Sequence, residues 1–346
     1  MGGGGSYYSR DVTLSDRRTK AGFSDLAEEQ TSRTSVNPAV LPKNRRLVST
    51  RRSPFAFALD GTGSMGDLPR IGWDKWPMVA GQLAMQNYLK DPMISLAVIG
   101  DVISDRAPVQ ICDFTAIRDL DDSLQRLWLE GGGGGQKKES YEFMAYFYAR
   151  LYDMQKAETP IFIFTGDEGF RERLSAVELR EHFGGEHKNV DAATIFGELK
   201  TKFKGNVFLI HPTFTMHYGL EADEIITKQW RDMLGEEYVI LLEDKLAIAD
   251  VTLGIIALAS GSRTLDEYIE DIKSRPLEME GKQYEPQSVR RIAEVRRALE
   301  LFASTRETGE SRKRTRKEKE AVADTNSGIP VTKPKKTDDQ VKPGRI

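Results

Sequence analysis

The sequence predicts an α/β fold with a doubly wound, mostly parallel sheet of six strands, one antiparallel edge strand and helices on both faces. From Pro54 onward, apolar runs of strand length alternate with amphipathic segments of helix length. This alternation is typical of parallel strands joined by helices. The second and third apolar runs are too close for an intervening helix, which indicates a hairpin and hence the antiparallel edge strand.

The predicted strands are short apolar runs, and several predicted helices start after Asp, Ser or Pro, as helix starts usually do. The strands are expected at Phe55–Asp60, Ser95–Val102, Pro108–Phe114, Pro160–Asp167, Asn206–His211 and Tyr238–Leu242. The helices are expected at Met78–Lys90, Ile117–Leu127, Glu139–Met154, Ala192–Lys204, Ala222–Leu234, Ala247–Ser260, Leu265–Lys273 and Gln287–Phe302. Six strands are what one Rossmann-like domain needs.

The composition excludes several classes of protein. A chain of 346 residues can bury a full core, which excludes a peptide ligand or a disulfide-stapled mini-protein. The single cysteine, Cys112, cannot form an intramolecular disulfide, so we expect a buried thiol and a reducing, cytoplasmic compartment. The longest apolar runs, FAFAL and LGIIALA, are shorter than the roughly 20 residues of a membrane span. We therefore expect a soluble protein without a membrane partner.

The net charge of −3 is the sum of segments with opposite charge. Residues 1–53 hold 10 Lys and Arg against 5 Asp and Glu, residues 305–346 hold 12 against 7, and residues 54–304 hold 28 against 41. An acidic body attracts cations and repels phosphate, so we expect any contact with nucleic acid to involve only the basic tail. We expect an irregular N-terminal arm at 1–53 and an α/β domain at 54–260. A helical extension packed on the body is expected at 261–304, and a disordered basic tail at 305–346.

The run Asp60-Gly61-Thr62-Gly63-Ser64 directly follows the first predicted strand. In an open α/β sheet, ligands bind at the carboxyl ends of the strands. Because the three oxygen-bearing side chains alternate with glycines, they can point the same way while the backbone turns tightly. Oxygen ligands of this kind suit a hard divalent ion, Mg²⁺ or Mn²⁺. The run is therefore a candidate metal site.

Further oxygen-bearing side chains end at the same edge of the predicted sheet. The fourth strand ends at Asp167, which lies beside Asp60 if the first and fourth strands are neighbours. The second strand ends near Asp101, and the glycine run at 131–135 leads to Ser140, where a helix is expected to begin. Separate loops can thus bring oxygen ligands to one place.

Taken in this order, Asp60-x-Thr62-x-Ser64 resembles the first element of the metal-ion-dependent adhesion site (MIDAS) of von Willebrand factor A (vWA) domains. The family pattern is Asp-x-Ser/Thr-x-Ser, then a loop Thr, then an Asp after a later strand. Asp167 corresponds to the later Asp, and Ser140 is our candidate in place of the loop Thr. The resemblance covers about residues 54–260. It implies that Thr62, Ser64 and Ser140 contact the metal, and that Asp60 and Asp167 act through waters or as hydrogen-bond acceptors.

The resemblance implies a metal-dependent adaptor or scaffold protein and no catalytic turnover. A cation that is held mainly by hydroxyls and waters keeps positive charge, so it can accept an Asp or Glu carboxylate of a partner protein as its last ligand. Intracellular vWA proteins often serve as adaptors. The resemblance therefore suggests an AAA-type ATPase or another assembly component as the partner.

Two enzymatic interpretations compete for the same residues. Residues 61–66 match the dinucleotide-binding pattern GxGxxG, but a lone match is weak, and Pro69 and Pro77 are expected to delay the helix that this motif requires. The run that starts at Asp60 also resembles the phosphorylated-aspartate motif of P-type ATPases. Phosphoryl transfer of the P-type or haloacid-dehalogenase kind, with Asp60 as nucleophile, is therefore the main alternative, although the sequence has no later Gly-Asp-Gly-x-Asn-Asp segment.

Overall fold

The computed structural model describes residues 32–131, 137–215, 219–275, 278–279, 282–283 and 286–306. The main sheet within these ranges consists of β1 (Ser53–Asp60), β2 (Pro92–Ile99), β3 (Val109–Ile111), β4 (Ile161–Thr165), β5 (Val207–Pro212) and β6 (Val239–Leu242). The helices of the same ranges are α1 (Leu68–Gln86), α2 (Leu120–Arg126), α3 (Tyr141–Arg150), α4 (Ala176–Phe183), α5 (Ala192–Lys202), α6 (Leu220–Leu234), α7 (Ile248–Ser260), α8 (Leu265–Lys273) and α9 (289–306).

The strand order in the sheet is β6-β5-β4-β1-β2-β3. Neighbouring strands are parallel except β2 and β3, which are antiparallel and place β3 at an edge. The structure thus confirms the predicted α/β class, the mostly parallel sheet of six strands and the antiparallel edge strand. It also confirms that the first and fourth strands are neighbours, since Leu59 of β1 pairs with Thr165 of β4.

Two hydrophobic cores lie on opposite faces of β1. Phe55, Phe57 and Leu59 belong to a core shared with α1, α7 and α8. Ala56 and Ala58 belong to a second core, shared with α3, α5 and α6. Successive side chains of a strand point to opposite faces, and both faces of β1 are covered, so every residue of β1 is buried. The residues between Ser53 and Asp60 are therefore one continuous apolar run. This burial fixes Asp60 at the end of a rigid central strand.

Helix α1 corrects one prediction from the sequence. The predicted helix begins at Met78, whereas α1 begins at Leu68, ten residues earlier. Pro69 lies in the first turn, where a helix needs no backbone N–H, and Pro77 is accommodated inside the helix. Trp73 and Trp76 are buried against the sheet and help to hold this segment helical. The helix start therefore no longer argues against a dinucleotide site, but the Asp60 carboxylate does, because it would repel the phosphates of a dinucleotide.

Other boundaries differ by a few residues, and one helix is missing from the predictions. Helix α3 begins at Tyr141 instead of Glu139, so both residues before it belong to the preceding loop. Helix α4 was not predicted, although its capping box is visible in the sequence: the Ser175 side chain accepts from the Glu178 backbone N–H, and the Glu178 side chain accepts from Ser175. The predicted helix at 287–302 runs from 289 to 306.

The chain divides into a compact unit of residues 1–303 and a second unit of residues 304–346. Of the predicted arm, residues 1–31 lie outside the described residues, and of the predicted tail, residues 307–346 do. In the described part of the arm, Leu47–Val48 forms a short parallel pair with Tyr152–Asp153. No helix among the described residues is both long and apolar enough to cross a membrane.

Candidate metal centre

Asp60 ends β1 as a fully buried carboxylate with two sets of hydrogen-bond donors. Its Oδ1 accepts from the Thr62 backbone N–H at 2.9 Å and from the Thr62 hydroxyl at 2.5 Å. Its Oδ2 accepts from the Tyr141 hydroxyl at 2.5 Å. These bonds hold the turn after β1 and the start of α3 on the same carboxylate.

A chain of close oxygen–oxygen contacts continues from Asp60 to the loop after β4. The hydroxyls of Thr62 and Ser64 lie 3.1 Å apart, and the Ser64 hydroxyl donates to Oδ1 of Asp167 at 2.9 Å. A short 3-10 turn, Gly63–Met65, places Ser64 in this chain. The structure thus brings Asp60, Thr62, Ser64 and Asp167 together, as the sequence predicts, at the ends of two neighbouring strands.

Two glycines permit this close approach. A Cβ atom on Gly61 would lie 2.7 Å from Cγ1 of Val98, and one on Gly166 would lie 1.8 Å from the Tyr141 hydroxyl oxygen. Both distances are too short for any other residue unless its neighbour moves. The turn at Gly166 is further held by His211, a buried residue of β5 whose Nδ1 lies 3.1 Å from the Gly166 carbonyl oxygen.

Ser140 lies just before α3, but its hydroxyl forms hydrogen bonds with residues outside the cluster of Asp60, Thr62, Ser64 and Asp167. Its Oγ accepts from the Val102 backbone N–H at 2.8 Å and from Nη1 of Arg171 at 3.0 Å. The same guanidinium pairs with Asp101 and lies 3.6 Å from the Glu142 carboxylate. Arg171 therefore joins the loops after β2 and β4 to the first turn of α3.

Carboxyl groups are crowded at this end of the sheet. Burial, reinforced by repulsion from Asp167, raises the pKa of Asp60 to about 8. Burial, followed by repulsion from Asp60, raises the pKa of Glu139 to about 10, and burial also raises the pKa of Asp167. Pairing with a positive charge would lower these pKa values, and a bound divalent cation would supply such a charge.

The donor atoms at this edge fit a hard divalent cation. Hydroxyl and carboxylate oxygens are the ligands that Mg²⁺ and Mn²⁺ take in proteins. One carboxylate oxygen, Oε2 of Glu139, is buried without a hydrogen-bond partner among the described residues. In the ranges that the structure describes, no three His, Cys, Asp or Glu side chains are grouped so as to hold a metal ion. A cation here therefore depends on the hydroxyls of Thr62 and Ser64 as well as on carboxylates.

Comparison with known proteins does not assign a family. No protein-family model and no curated protein matches the chain. The pilus adhesin SpaC from Lactobacillus rhamnosus GG is similar over 62% of this chain and 32% of its own, with 12% identity and a TM-score of 0.40. Its open conformation gives 11% identity, a TM-score of 0.35 and coverage of 62% and 31%. Proximal thread matrix protein 1 from the mussel byssus gives 10% identity, a TM-score of 0.39 and coverage of 62% and 49%. The chain thus spans about a third to a half of these proteins.

Three residues of the site were not assigned to it from the sequence. Tyr141 belongs to a run of aromatic residues with helical spacing, which predicts only a core-facing helix stripe. Arg171 lies beyond the fourth strand, in a loop with no recognisable pattern. Glu139 directly precedes Ser140, and this adjacency is the one signal that the sequence offers for it. The contacts of these residues depend on how the loops fold together.

Proposed function

We propose that the chain is a protein-binding adaptor or scaffold of the vWA type, which recognises an acidic residue of a partner protein through a Mg²⁺ or Mn²⁺ ion in a MIDAS-like site. The observation that carries the proposal is the chain of side-chain oxygens of Asp60, Thr62, Ser64 and Asp167, each within 3.1 Å of the next. It joins two strand ends through oxygen atoms, in the order along the sequence that the resemblance requires.

The strand order supports the proposal. We also propose that the sheet is Rossmann-like and doubly wound, since β1 is central, β2 and β3 follow on one side, and β4, β5 and β6 follow on the other. In such sheets, ligands bind where the strand order reverses, outside the carboxyl ends of the strands. Here the reversal lies between β1 and β4, which are the strands that lead to Asp60 and Asp167.

In the proposed site, the hydroxyls of Thr62 and Ser64 bind the cation, and Asp60 and Asp167 orient those hydroxyls and balance the charge. When bound, the cation supplies positive charge that can receive a carboxylate from outside the chain. Ser64 is only partly buried, and Gly63 beside it is exposed, so the site can be reached from solvent. Asp60 is fully buried and keeps its oxygens on Thr62 and Tyr141.

Apolar residues near the same strand ends fit a protein as partner. Ile103, after β2, is 59% exposed, and Phe214, after β5, is 39% exposed. Exposed apolar groups around a polar centre are typical of protein-binding surfaces, where apolar burial adds affinity to a specific polar contact. An AAA-type ATPase or another assembly component remains the partner class that the resemblance suggests.

The alternative, phosphoryl transfer with Asp60 as nucleophile, receives less support from the geometry. A nucleophilic carboxylate must present an oxygen to the reacting phosphorus atom. Asp60 has no exposed surface, and both of its oxygens accept hydrogen bonds. A hydroxylamine-sensitive phosphate adduct on Asp60 would favour this alternative over the adaptor.

Selection of peptides from a displayed random library, in buffer with millimolar Mg²⁺, tests the proposed function. We expect the wild-type chain to enrich peptides that share an Asp or Glu, and EDTA to release them. Ser64→Ala should abolish the enrichment, whereas Ser274→Ala, a matched change at an exposed serine after α8, should leave it unchanged. Enrichment that persists both in EDTA and in Ser64→Ala would refute the proposal.

A further inference from the structure

The hydroxyl of Ser140 has no free lone pair for a cation. A serine oxygen can accept two hydrogen bonds. Those two positions are taken by the Val102 backbone N–H at 2.8 Å and by Nη1 of Arg171 at 3.0 Å. Contact between Ser140 and a cation would break one of these bonds and take an acceptor away from its partly buried donor. Ser140 instead holds the loop after β2 and the Arg171 side chain in place.

The residue before Ser140 presents the opposite situation. The side chain of Glu139 is buried, with 3% exposure, and its Oε2 has no hydrogen-bond partner among the described residues. Asp60 exerts the largest electrostatic repulsion on it, and Glu168, Asp101 and Asp105 add to this repulsion. A buried carboxylate oxygen without a donor is rare in proteins, because its desolvation is not offset by any contact.

The backbone around Glu139 is fixed against the loop that carries Asp167. The Glu139 N–H donates to the Gly169 carbonyl oxygen at 2.9 Å, and the Gly169 N–H donates to the Lys137 carbonyl oxygen at 3.2 Å. The Ser140 N–H donates to the Gly100 carbonyl oxygen at 3.1 Å, so the Glu139 backbone is held between the loop after β4 and the end of β2, and its position does not depend on its own side-chain contacts. This is the arrangement expected of a residue that is placed to bind a ligand.

We propose that Glu139, rather than Ser140, supplies the oxygen ligand from the loop before α3 to the cation held at Asp60, Thr62, Ser64 and Asp167. The inference rests on the proposed function, since it names a further ligand of the same site. Ser140 is then a structural residue, which holds Val102 and Arg171 in place. A carboxylate as a direct ligand, beside the hydroxyls of Thr62 and Ser64, favours the capture of a divalent cation and leaves less positive charge for a partner's carboxylate.

Titration of the full chain with Mn²⁺, followed by the electron paramagnetic resonance signal of free Mn²⁺, tests this assignment. The metal-free chain is compared with Glu139→Gln, which keeps the side-chain volume and removes the charge, and with Ser140→Ala as the matched control. We expect Glu139→Gln to raise the Kd for Mn²⁺ at least about tenfold. Ser140→Ala should change the Kd less than about threefold but lower the thermal unfolding midpoint, because Val102 and Arg171 lose an acceptor.

A second measurement separates a ligand from a structural residue. Thermal unfolding of metal-free Glu139→Gln should occur at or above the wild-type midpoint, because glutamine keeps the side-chain volume and brings an N–H donor among buried acceptors. Because the new glutamine can form hydrogen bonds of its own, Glu139→Ala is measured as well, and it should weaken Mn²⁺ binding in the same way.

The possible results distinguish the two proposals. Wild-type affinity in Glu139→Gln, together with weakened binding in Ser64→Ala, would overturn the role of Glu139 and leave the proposed function standing. A tenfold loss in folded Ser140→Ala would also overturn it. Absence of Mn²⁺ binding by the wild-type chain, or binding that Ser64→Ala does not alter, would overturn both proposals.

Discussion

Gly166 is a position at which the candidate site leaves no room for a side chain. A Cβ atom there would lie 1.8 Å from the Tyr141 hydroxyl oxygen and 2.5 Å from Cζ of the same ring. The Tyr141 hydroxyl donates to Asp60 at 2.5 Å. Since the ring is fully buried, Gly166→Ala must displace Tyr141, break this hydrogen bond and shift the start of α3.

The expected cost has two parts. Overpacking of a core position costs about 1–3 kcal/mol, and loss of a hydrogen bond that leaves its buried acceptor unsatisfied costs about 1–3 kcal/mol. We therefore expect Gly166→Ala to lower the free energy of unfolding by about 2–6 kcal/mol. Gly197→Ala is the matched control: nothing lies within 4 Å of a Cβ atom there, the position is exposed in the interior of α5, and the change should stabilise the helix by about 1 kcal/mol.

Urea unfolding at 25 °C, followed by tryptophan fluorescence, measures both variants. Tyr141→Phe is included because it removes the nearest atom to the new methyl group. The double variant should therefore cost less than the sum of the two single changes. If Gly166→Ala lies within about 0.5 kcal/mol of the wild type, the Tyr141 hydroxyl does not occupy this position and the described geometry of the site is wrong.

Three further predictions concern the scaffold. Arg275→Met removes the arginine that lies 2.5 Å from the buried Asp250 and leaves that carboxylate only a 4.0 Å contact with Arg291 among the ion pairs of the described residues, so it should cost about 3–5 kcal/mol in urea unfolding. Arg296→Ala, which removes an exposed ion pair, should cost less than about 1 kcal/mol. Ser175→Ala removes the capping box of α4 and should cost about 1 kcal/mol in the same assay; no change would mean that this cap is not formed. Burial raises the pKa of Cys112 to about 12 from 9.0, so at pH 8 iodoacetamide should alkylate the folded chain about 1,000-fold more slowly than the urea-unfolded chain; equal rates would contradict the buried thiol.

The sheet could be predicted from the sequence because its signal is local. Each strand is an apolar run of a few residues, and burial of β1 on both faces makes that run continuous. The short connection between the second and third strands also limits the geometry to a hairpin, so the antiparallel edge strand could be predicted without tertiary information.

Helix α1 shows where local signals fail. Proline and glycine discourage helix formation in isolation, and they led to a predicted start at Met78. In the folded chain, α1 packs against the sheet with Trp73 and Trp76 buried. The apolar area that these side chains remove from water offsets the weak intrinsic propensity of the segment, so the helix starts at Leu68.

In the candidate metal centre, too, local sequence determined one part and tertiary packing determined the other. Asp60, Thr62 and Ser64 are close in sequence, and the neighbouring strands that lead to Asp60 and Asp167 could be predicted from the element order, so the sequence alone determined this cluster. Only the tertiary structure decided the contacts of the residues in the loop before α3. Hydrogen bonds from Val102 and Arg171, residues distant in sequence, occupy the Ser140 hydroxyl, and the adjacent Glu139 has a buried oxygen without a hydrogen-bond partner among the described residues. The physical reason is that periodicity reports which face of an element is buried, whereas the partners of a loop side chain are set only when separate loops pack together.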